Sequence, residues 1–143
     1  MNKFGIYRDD DLAIVETKSG PIIERLSKRL RKVLNRLGLE ITIESNLVKT
    51  DFLDVELDLR NDTFAPFRKP NFQATYVNVK SNHPRYVVNQ VPKSINKRLT
   101  ILSKEKSYFN RAKGQNQEVL VKGGHKHELK YKVGYGEKTK RKR

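Results

Sequence analysis

Between Ser19 and Gly38, apolar side chains recur at spacings of three and four. Ile22, Ile23, Leu26, Leu30, Val33, Leu34 and Leu37 make one stripe, and Arg25, Lys28, Arg29, Arg31, Lys32 and Arg36 fall on the opposite face. That contrast at a period of 3.6 predicts an amphipathic helix over 21–37. Its ends are marked too. Ser19 suits an N-cap, Pro21 is tolerated in a first turn, and Gly38 suits the residue that stops a helix.

Strands are expected on both sides of it. Phe4 to Tyr7 and Leu12 to Val15 are short apolar runs around a polar cluster, Arg8 to Asp11, which predicts a β-hairpin with carboxylates at its tip. Leu39, Ile41 and Ile43 alternate with Glu40, Thr42 and Glu44. Phe52, Leu53, Val55, Leu57 and Leu59 form a further run, Arg60 to Thr63 reads as a turn, and Phe64 to Arg68 returns, making 52–68 a second hairpin. Tyr76, Val77 and Val79 suggest one more short strand.

From His83 the pattern becomes helical and basic. Tyr86, Val87, Val88 and Val91 suit a short helix that Pro92 should break, with Ser94 capping the next. In that one Ile95, Leu99, Ile101 and Leu102 face inward, Lys97 and Arg98 outward. A third helix is expected from about Lys104 to Lys122, weakened at Gly114 and ended by Gly123 and Gly124. The remainder is basic and poor in large aliphatics, closing on Lys140-Arg141-Lys142-Arg143. The fold class expected is α+β.

Charge sets the partner expectation. In 143 residues, Lys and Arg total 31 against 16 Asp and Glu, a formal net charge of +15. Such an excess favours polyanions, nucleic acid first. Cysteine is absent, so disulfide scaffolds, thiolate metal sites and cysteine nucleophiles are excluded. No apolar run approaches the ~18 residues of a membrane span, and the first residues lack the apolar stretch of a secretory signal. An intracellular location, nucleus or cytoplasm, is therefore expected. His125 and His127 share one strand face but lack a completing ligand, and a solvated strand is the plainer reading. Tyr76, Tyr86 and Tyr108 suit either base stacking or core filling, with core filling the default.

The segment with chemistry in it is Tyr7-Arg8-Asp9-Asp10. Adjacent carboxylates on a hairpin offer hard oxygens to a divalent cation, and magnesium is commonly held by one or two carboxylates plus substrate phosphates. The plain alternative is an exposed acidic turn. An aromatic-X-Asp-Asp hairpin flanked by apolar strands resembles motif C of reverse transcriptases. The downstream segments resemble that family in order: the helix 21–37 and strand 39–45, then Phe52-Leu53-Asp54-Val55 as in the primer grip. Phe67-Arg68-Lys69-Pro70, Tyr76 and Lys80-Ser81-Asn82-His83-Pro84 are similar to the downstream segment of Penelope-like and related eukaryotic retroelement polymerases. Pro92-Lys93-Ser94-Ile95-Asn96-Lys97-Arg98-Leu99 extends the similarity into the thumb.

The resemblance, over roughly residues 4–113, implies RNA-directed DNA synthesis with Mg2+ by two-metal nucleotidyl transfer in the intact enzyme, on an RNA template and DNA primer. Asp9 and Asp10 would be catalytic metal ligands. Tyr7 would lie by the primer end, Arg8 would face nucleic acid, and Phe52, Leu53 and Asp54 would position the primer. Arg68, Lys69, Lys80, His83, Lys93, Lys97 and Arg98 would contact the nucleic acid, the thumb residues through phosphates. Residues 1–72 would be C-terminal palm, 73–122 thumb-like, and 123–143 a poorly ordered basic tail. Asp11 departs from the small residue usual there. The family's upstream metal-binding aspartate and fingers precede motif C, so this chain is expected to be inactive alone, its possible partner being that missing N-terminal part. The alternatives are a non-catalytic nucleic-acid-binding protein derived from such an element, and a ribosomal-type basic protein.

Overall fold

Apolar residues on either side of Arg8 and Asp9 pair as an antiparallel hairpin, β1 (Lys3–Tyr7) against β2 (Asp10–Ile14), with Tyr7 opposite Asp10. The computed structural model describes residues 3–7, 10–16, 19–45, 47–71 and 74–133. Among them, two sheets and three helices make a small α+β fold.

Helix α1 (Gly20–Arg36) forms where the stripe predicts. Gly38 takes φ +77°, and the amides of Gly38 and Leu39 reach back to the carbonyls of Asn35 and Leu34, a Schellman closure. The stripe is nevertheless open. No residue of α1 is buried, and Leu30 remains 42% exposed.

The predicted strand at 39–45 is not regular structure. Its side chains do alternate in exposure, Ile41 and Ile43 being half-buried between exposed neighbours. Alternation makes a strand only with a hydrogen-bonded partner, and no described segment pairs with it. The run 52–59 also divides. β3 (Lys49–Phe52) turns directly into β4 (Val55–Asp58), with Phe52 opposite Val55 and Leu53 at φ +55° in the turn. β5 (Thr63–Pro66) completes a three-stranded antiparallel meander, so the hairpin expected within 52–68 is present with an extra strand before it. At its second turn the Asp58 carboxylate accepts the amides of Arg60 and Asn61 at 3.0 and 3.1 Å.

Pro92 does not break the next helix. α2 runs unbroken over Arg85–Ile101 with Pro92 buried on its inner face. A proline forfeits one backbone bond in a helix, and here packing of its ring accompanies that loss. α3 (Lys106–Lys122) continues through Gly114, beside which a Cβ would meet nothing. At its end Gly124 (φ +81°) and His125 donate to the carbonyls of Val121 and Leu120, a second Schellman closure.

Leu99, Phe109, Leu120 and Leu129 form the core, flanked by Tyr76, Val91, Ile95, Ala112 and Tyr131. Leu129 is fully buried, although the sequence groups it with the basic tail. The tail's first part, 123–131, is therefore anchored on the core, while Val133 is 90% exposed. Its backbone is held by side-chain amides in place of a neighbouring strand. Asn96 bonds both the amide and the carbonyl of Lys130, at 2.6 and 2.9 Å, and Gln117 bonds the Leu129 amide and the His127 carbonyl, both at 2.8 Å. The strand expected at 76–79 is absent too. That segment instead runs beside 123–125, the Val79 amide donating to the Gly123 carbonyl and the Val77 carbonyl lying 2.8 Å from His125 Nε2.

Candidate nucleic-acid interface

The two hairpins and α2 contribute to one open cleft of about 1990 Å³. Tyr7 and Asp10 enter it from the ends of β1 and β2. Phe52, Leu53 and Asp54 enter from the β3–β4 turn. Arg68 and Lys69 enter from the segment after β5, and Arg98 from α2. Eight of the residues that the resemblance singles out thus share one concavity. Arg8 and Asp9 lie outside the described residues. Lys80, His83, Lys93 and Lys97 lie elsewhere, the last two exposed on the outer face of α2.

Inside the cleft several of these groups already have protein partners. Arg98 is ion-paired with Asp54, joining α2 to the β3–β4 turn. The Arg68 guanidinium donates to the Asn116 side-chain oxygen at 2.8 Å, and the Tyr76 hydroxyl donates to the same atom at 2.6 Å. Asn116 returns its own amide to the Ala112 carbonyl at 2.8 Å. Burial pushes the Tyr76 phenol above its ordinary pKa, with Arg68 working against it. Arg68 is thus a half-buried strut between the sheet and α3 as well as a cation on the cleft wall. On the loop before α2, His83 Nδ1 lies 3.2 Å from the Ser81 hydroxyl.

Sequence reasoning missed the groups that organise this wall. Asn116 on α3 looks like any exposed amide until its partners are seen. Lys104 pairs with Asp62 at 3.0 Å, and Arg111 with Glu56 at 3.5 Å. With Asp54 and Arg98, these pairs tie the acids of the meander to cations of the helical layer. Each pair has at least one well-exposed partner, so each contributes little stability alone and fixes orientation more than energy.

The cleft is acid-rich in a basic protein. Asp10, Asp11, Glu40, Glu44, Asp51, Asp54 and Glu56 line it, against four cationic side chains, Arg68, Lys69, Arg98 and Arg111. Among the described residues most of the positive charge therefore lies outside, on α1, on the outer side of α2 and at Lys126, Lys130 and Lys132. Asp10 and Asp11 are consecutive on β2, so their side chains leave opposite faces of the hairpin. Among the described residues no three His, Asp or Glu side chains converge as metal ligands. Among the described residues, no helix is long and apolar enough to cross a membrane.

Comparison of the chain with family models, with curated proteins and with solved structures finds no match.

Proposed function

We propose that this chain is the C-terminal palm and thumb part of a retroelement reverse transcriptase. In this reading it holds an RNA template and DNA primer, and it does not polymerise by itself. The observation that carries the reading is the shared cleft, lined by Tyr7 and Asp10 at the end of the β1–β2 hairpin and also by Leu53, Asp54 and Arg98. The order of elements supports it as well: hairpin, amphipathic helix, antiparallel meander, helices. Catalysis by the intact enzyme would need carboxylates beyond Asp9 and Asp10, because two cations close together require anionic charge around and between them. The alternative is a non-catalytic nucleic-acid-binding protein derived from such an element, which the net charge of +15 supports equally.

Both readings require nucleic-acid binding, and a salt titration tests it. With about six phosphates neutralised, affinity for an RNA–DNA hybrid duplex falls with a log–log slope of about −5. Replacing Lys93, Lys97 and Arg98 by alanine flattens that slope. An affinity unchanged from low to moderate salt refutes the electrostatic account.

A further inference from the structure

Helix α2 has an outer face that stays exposed among the described residues. Val88, Pro92, Asn96, Leu99 and Thr100 are buried on its inner side. Tyr86, Gln90, Lys93 and Lys97 are all exposed, and their spacing of four, three and four sets them within an arc of roughly 60°. Tyr86 is 73% exposed. The comparable tyrosines are engaged: Tyr76 bonds Asn116, Tyr131 meets the Phe109 ring edge-on at 5.6 Å, and Arg111 lies over the Tyr108 ring. α2 contains no Asp or Glu. Its outer face is therefore a cationic lane with an uncovered aromatic ring at one end.

We propose that this face of α2 binds single-stranded nucleic acid, Tyr86 stacking on a base while Lys93 and Lys97 meet phosphates. The proposal rests on the nucleic-acid reading above and adds the strand type and the contact. A ring stacks only on a base whose face is open, and a paired duplex closes its base faces everywhere except at its ends. Stacking platforms beside a positive lane are how single strands are held without sequence preference. Tyr86 and Lys97 lie about 16 Å apart along the helix axis, enough for roughly five stacked nucleotides. The lane carries one aromatic and no run of aliphatic side chains, which suits a base and phosphates better than lipid.

The test titrates the full chain with fluorescein-labelled dT10 and with a blunt ten-base-pair duplex at one salt concentration. Tyr86→Ala lowers dT10 affinity about tenfold and leaves the duplex and the dT10 salt slope unchanged, while Tyr86→Phe keeps wild-type affinity. Lys93→Ala with Lys97→Ala weakens both ligands and flattens the dT10 slope by about 1.4. The chain has no tryptophan, so quenching of tyrosine emission by dT10, lost in Tyr86→Ala, reports stacking directly. If wild type binds dT10 and Tyr86→Ala binds it equally well, or loses both ligands equally, the stacking proposal is refuted while the nucleic-acid reading stands. If wild type binds neither ligand, both are refuted.

Discussion

Gly124 shows how much one residue decides here. Its φ of +81° suits glycine, and a Cβ built on it would lie 2.6 Å from Val79 Cγ2. Gly124→Ala must therefore accept a left-handed alanine and displace the segment that covers the end of α3. A loss of about 2–4 kcal/mol in denaturant unfolding is expected. Leu53 is the opposite case, a bulky residue held at φ +55° in a two-residue turn. Leu53→Gly relieves that conformation and raises Tm by about 3 °C. Tyr76 gives a pH signature. Its folded-state pKa is raised by burial, so its contribution is intact below the ordinary tyrosine value near 10 and is lost as pH climbs through the folded value. Tyr76→Phe removes that alkaline loss, measured as stability against pH from about 8 to about 11. Glycines that end helices are legible in the sequence because only their backbone freedom suits those positions. Asn96, Asn116 and Gln117 are not, because an amide in a helix reads the same whether it faces water or replaces a missing strand.

At the scale of elements, periodicity identifies the helices and misleads on some strands. α1 follows its stripe, and both α1 and α3 end at their glycines. Pro92 escapes the helix-breaking rule because that rule counts a lost hydrogen bond and cannot see the buried site its ring fills. The segment 39–45 escapes the strand rule because alternation specifies a two-faced chain without supplying a partner. β3 is hidden because Leu53 and Asp54 are not the glycine and asparagine that usually announce a tight turn. Two expectations belong at this scale. The β1–β2 hairpin pairs only with itself among the described strands, and a two-stranded sheet is marginal in water. Its amides exchange with solvent far faster than those of α2 and α3, and strong protection at Ile6 and Ile14 contradicts this. The open stripe of α1 makes Leu30→Ala cost under about 1 kcal/mol, whereas Leu120→Ala, fully buried, costs about 3–4 kcal/mol in the same unfolding experiment.

Over the whole molecule the charge is divided in space. In a chain of net charge +15, seven acids line one cleft, and most of the described cations lie on α1, the outer side of α2 and the stretch 126–132. The excess is plain in the sequence but the division is not, since residues 10, 54 and 98 come to line one cleft only through the fold. That division gives the cleft and the basic exterior different tasks in the proposed enzyme: carboxylates where chemistry would occur, cations where phosphates are held. The most direct measurement is template-directed primer extension with magnesium. The account predicts no extension by the purified 143-residue chain, extension when upstream palm and fingers of a related element are supplied, and loss of that activity in Asp9→Asn with duplex binding intact. Extension by the isolated chain, or full activity of reconstituted Asp9→Asn, would contradict it.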